Sequence, residues 1–153
     1  MIKIDGLEDL EKFGLQAEFA SKKIDNDLND VKKTAADFVF LKVMKITRVD
    51  TSKAISNWTI RTPDDEKVER EAYFPGERGS TKAQSFQQNL MTERPNLKEA
   101  KPGKPIYVSN NLDYVEDYLN EVDNILIKAE KTGDYRIKES WDKRMKTRGG
   151  YFK

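Results

Sequence analysis

The sequence predicts a single α+β domain: a small, mostly antiparallel sheet packed against a long N-terminal helix and a second helix further along. Three observations predict it. Apolar residues recur at gaps of three and four from Leu7 to Phe38, which describes one face of a helix. Two short β-prone runs, 56–61 and 106–108, are bounded by turn residues. A second helical periodicity then runs through Val115, Tyr118, Leu119, Val122, Ile125, Leu126 and Ala129.

Each element has its own signal. Asp5 followed three residues later by Glu8 has the form of a capping box and starts the first helix. The apolar face is Leu7, Leu10, Phe13, Ala17, Ala20, Ile24, Leu28, Val31, Ala35 and Phe38, and Gly14 is expected to split off a short helix from a long one over 16–46. The run 38–41 is apolar on nearly all sides, so that turn is expected to be the most deeply buried. A strand over 56–61 ends at the turn around Pro63, and 67–74 is a candidate return strand. A loop with flexible glycines at Gly76 and Gly79 leads to a helix capped by Ser80, with Ala83, Phe86 and Leu90 as its expected buried face. Pro95 interrupts that helix, and 101–105 is a second break. After the strand at 106–108, the second long helix runs to Gly133, and Ile137, Trp141 and Met145 suit a last amphipathic piece. The domain is therefore drawn as 1–148, with 149–153 a flexible tail after Gly149 and Gly150.

Composition narrows the function. The 153 residues are 37% hydrophobic and 36% charged, so the core is thin and suits an elongated domain or one that completes its burial against neighbours. Lys and Arg total 28 against 27 Asp and Glu, a net charge of +1 that argues against a general polyanion binder. Cys and His are both absent. That removes disulfides, thiol nucleophiles and the usual zinc ligands, and with His goes the side chain best suited to proton transfer near neutral pH. No apolar run is long enough to span a bilayer, and the first residues lack a signal-peptide layout, so a soluble protein made in the cytoplasm is expected.

Candidate chemistry is sparse. Asp64, Asp65 and Glu66 cluster beside Pro63, where turn chemistry accounts for them. The segment from Gly76 to Lys82 lacks the spacing of a phosphate-binding loop. Ser52 and Ser56 have no histidine to activate them, and Trp58 and Trp141 lie on apolar periodicities that make them core anchors. The reading is of a non-enzymatic protein with no cofactor and no metal. Charge is uneven, however: residues 110–127 contain five acids and no base, while 143–153 contain Lys143, Arg144, Lys146, Arg148 and Lys153 and no acid. These are either two solvated faces or complementary surfaces that steer like subunits together.

Two segments carry a resemblance. Val49, Asp50 and Thr51, followed by Lys53, Ala54, Asn57 and Trp58, resemble a Pro-Val-Asp-Thr-Gly-Arg…Ser/Asn-Trp segment. Ile106, Tyr107, Val108, Asn110, Asn111, Leu112 and Tyr114 resemble an Ile-Tyr-Ile-x-Asn-Asn-Leu-Pro-Tyr segment. Both patterns are those of the HK97 gp10-like bacteriophage tail-component family; with the start at Asp5, Gly6 and Leu7 and with Lys101, Pro102 and Gly103, which also fit, the matches bracket roughly residues 5–120. The chain departs from the pattern at Arg48 and Asp113, where Pro is usual, and at Ser52, where Gly is usual. Beyond Tyr114 the family's usual continuation is missing.

Physically, Asp50 and Thr51 suit a turn between helix and strand, Asn110 and Asn111 suit αL geometry or backbone bonding, and Trp58 and Tyr114 suit packing at the junctions. The resemblance implies a virion structural protein of the head–tail junction or tail top, of the tail-completion, terminator or neck class. It would form a ring, often a hexamer, between connector and tail-tube proteins, with DNA passing through the lumen without sequence-specific binding and no membrane involved. Contacts with neighbouring subunits are expected from 62–74 and 75–80, with Arg78 and Lys82, and from Lys143, Arg144, Arg148, Tyr151 and Phe152. The rival reading is a nucleic-acid-binding accessory protein that uses the basic C-terminal tail. A regulator or inhibitor with a similar fold is a third.

Overall fold

In the computed structural model, residues 7–61, 68–112 and 114–115 are described, together with isolated positions 138–139, 142–143 and 146. The architecture is α+β. Helix α1 spans Leu7–Ile46, a single turn α2 spans Lys53–Ser56, and strand β1 spans Trp58–Arg61. Helix α3 covers Lys82–Glu93 and continues as a 3₁₀ segment over Arg94–Glu99, and strand β2 covers Tyr107–Asn110. β1 and β2 form a two-stranded antiparallel sheet with Trp58 opposite Asn110 and Arg61 opposite Tyr107. Asp5, the expected turn around Pro63, and the expected second long helix beyond Val115 lie outside the described residues.

α1 is unbroken through Gly14, contrary to the expected split. A Cβ at Gly14 would meet nothing within 4 Å. One exposed glycine costs a helix only about 1 kcal/mol, too little to stop it when no proline follows. The C-terminal half of α1 is where the core forms. Phe40, Val43 and Met44 pack with Ile55, Trp58, Ile60, Leu112 and Val115. Of the apolar face expected on α1, Ala20 and Val31 are buried, whereas Phe13 and Leu28 are largely exposed.

The helix end is closed by side chains. Thr47 Oγ1 donates to Val43 O and accepts from Trp58 Nε1, both at 2.7 Å. Lys82 Nζ donates to Thr47 O at 3.0 Å and to Lys45 O at 3.4 Å, which satisfies carbonyls that no further turn would reach. Further up α1, Asn29 Nδ2 donates to Ala100 O at 2.8 Å, Lys32 Nζ donates to the carbonyls of Lys101 and Lys104, and Asp37 takes a bidentate pair from Arg94. Burial, helped by neighbouring Lys33, lowers the Lys32 pKa. Three polar side chains thus fix the proline-bearing segment 94–104 along one helix.

Three further expectations are corrected. The expected return strand is irregular over 68–72. Residues 56 and 57 belong to the end of α2 and not to β1. The N-cap of α3 is Thr81 and not Ser80, and it makes no side-chain cap bond, because Thr81 Oγ1 donates to Phe74 O instead.

Candidate functional site

Every residue of β1 is buried, although among the described residues the sheet has only one other strand. An antiparallel partner satisfies the backbone groups of alternate residues, leaving the others at the outer edge. On β1 that outer edge belongs to Trp58 and Ile60, and α3 fills it with side chains. Asn89 Nδ2 donates to Trp58 O at 2.9 Å and to Ile55 O at 2.9 Å. Ile60 N donates to Glu93 Oε2 at 3.0 Å, and Asn96 Nδ2 donates to Ile60 O at 3.2 Å. Ser85 continues the same stripe one turn earlier and accepts from Phe74 N at 3.3 Å. Ser85, Asn89 and Glu93, each four residues apart, are all at or below 1% exposure. α3 therefore does the work of a third strand, which buried backbone polar groups require.

This corrects the expected face of α3. Ala83 is exposed, while Phe86 and Leu90 are half-buried along the flank of the polar stripe. The apolar residues were a guide to the rim of the buried face, and its centre is polar.

Glu93 anchors a second connection. Its Oε1 accepts from Arg70 Nη1 at 2.5 Å, and Arg70 Nη1 also donates to Tyr73 Oη at 2.8 Å. Burial opposes the charge on Arg70, but the bonds and charges of Glu93 and Tyr73 outweigh it and raise its pKa. The backbone of Arg70 is held separately by Asn57. Arg70 N donates to Asn57 Oδ1 at 2.8 Å, and Asn57 Nδ2 donates to Arg70 O at 2.7 Å. One side-chain amide thus exchanges the two bonds that a paired strand residue would make. Asn111 Nδ2 adds a bond to Val68 O at 2.7 Å. The segment expected to be a strand is held to the sheet by asparagines.

The two segments that carry the resemblance are brought together. Trp58 lies opposite Asn110 in the sheet, Asn111 N donates to Asn57 O at 3.3 Å, and Asn110 Nδ2 donates to Ala54 O at 2.8 Å. Asn110 Oδ1 then accepts from Leu112 N, turning the chain out of β2. Neither asparagine adopts positive φ; among the described residues the non-glycine residues that do are Ser52 at 65° and Arg78 at 52°. Trp58 packs into the core as expected, whereas Tyr107 and Tyr114 are 52% and 44% exposed. Leu112 and Val115 fill the junction expected of Tyr114. Thr51 is exposed, and Val49 is half-buried against the core.

The glycine-bearing loop is docked onto the first segment and does not stand free. Asp50 Oδ1 accepts from Arg78 N and Asp50 O accepts from Gly79 N, both at 2.8 Å. Gly79 has φ +73°, and a Cβ there would come within 2.8 Å of Val49 O, so the close approach needs glycine. Asp50 is thus a clamp on a distant loop, beyond the local turn role expected of it. Of the expected neighbour contacts, Arg78 has an exposed side chain, while the Lys82 ammonium is committed to the end of α1. Lys143 and Lys146 are exposed in helical backbone. Arg144, Arg148, Tyr151 and Phe152, the 62–67 part of the expected contact region, and most of the charge-asymmetric segments lie outside the described residues.

Among the described residues, no group of three or more acidic, His or Cys side chains is placed to hold a metal ion, and no helix is long and apolar enough to cross a membrane. Compared with protein-family models, curated proteins and solved structures, the chain matches none.

Proposed function

We propose that this chain is a non-enzymatic structural protein of a bacteriophage virion, working at the head–tail junction as a ring of identical subunits that joins connector to tail tube. The reading is carried by one observation. The two segments that resemble the HK97 gp10-like pattern form a single unit, in which Asn57, Asn110 and Asn111 stitch α2, the sheet and the 68–73 segment together. The convergence supports reading the two segments as parts of one structural unit.

The departure at Ser52 gives further support. The pattern has glycine there, and Ser52 has a left-handed backbone with φ 65° and ψ 2°. That is the conformation for which glycine is the default residue. A glycine, the residue of the pattern, would sit at position 52 without strain. In this reading the polar network is architectural: it sets a rigid frame from which α1 and the C-terminal region reach neighbouring subunits, and DNA passes through the lumen without base contacts.

Negative-stain imaging of the purified full chain at rising concentration tests the proposal. Annular particles of uniform diameter are expected, with no salt-dependent DNA affinity in the isolated protein. A steep loss of DNA affinity with added salt, without rings, would favour the accessory nucleic-acid binder.

A further inference from the structure

We draw no further inference here: the strongest candidate, the open apolar groove that Leu90, Met91 and Pro95 line along α3 and the 3₁₀ segment after it, carries nothing because nothing in the structure shows what covers it.

Discussion

Replacing Glu93 by alanine removes the acceptor for Ile60 N, one partner of Asn96 and the carboxylate facing Arg70. The Ile60 amide is then buried with nothing to bond to, at a cost of about 1–3 kcal/mol. Arg70 keeps a side chain 31% exposed, so water replaces much of its lost partner, and that loss is discounted to about 1 kcal/mol. Together they give about 3 kcal/mol, or a fall in melting temperature of about 6–12 °C for a chain of this size. Glu93→Gln keeps a carbonyl oxygen for Ile60 N and loses mainly the charge, so about 1–2 kcal/mol is expected. Urea unfolding followed by far-ultraviolet circular dichroism measures both. If alanine costs less than 1 kcal/mol, α3 is not serving as the missing strand. If glutamine is as damaging as alanine, the pair with Arg70 matters and the strand edge does not.

Other perturbations probe the remaining joints. Ser52→Gly should stay within about 1 kcal/mol of wild type, since relief of left-handed strain offsets loss of the 2.8 Å bond to Thr81; Ser52→Val should cost at least about 2 kcal/mol by the same unfolding assay. Gly79→Ala should cost about 1–3 kcal/mol, because the new Cβ meets Val49 O in a strained backbone; an unchanged midpoint would mean the loop is not docked. The Lys53 pKa is raised, chiefly by its hydrogen bond to Glu69 and further by Glu71, against an opposing effect of desolvation. A raised lysine pKa stabilises the fold fully below the ordinary value of 10.5 and loses that contribution as pH climbs through the raised value. The melting-temperature gap between wild type and Lys53→Met should therefore be present at pH 8 and close in strongly alkaline buffer; a gap that widens there would reverse the assignment.

The long helix, both strands and the core residues Phe40 and Trp58 were legible because apolar spacing reports directly on burial. The polar stripe of α3 was not. Ser85, Asn89 and Glu93 have the spacing of a helical face, but hydropathy assigns such residues to solvent, and only the unpaired edge of β1 explains why they turn inward. The 68–73 segment failed for a related reason: its pairing is made by the side chains of Asn57 and Asn111, which leave no alternation in the segment itself. Gly14 misled because a glycine can end a helix without being obliged to. Asn57, Asn110 and Asn111 were singled out by resemblance; Asn110 makes the local backbone bond expected where the strand ends, and the bonds of the three to Ala54, Val68 and Arg70 were not legible.

The head–tail junction reading is tested most directly by labelling the intact virion. Gold-conjugated antibody raised against the purified full chain, imaged on phage particles from the genome that encodes it, should decorate one band where head meets tail. Label confined to the baseplate or fibres, or virions that carry none of the protein, would contradict the account.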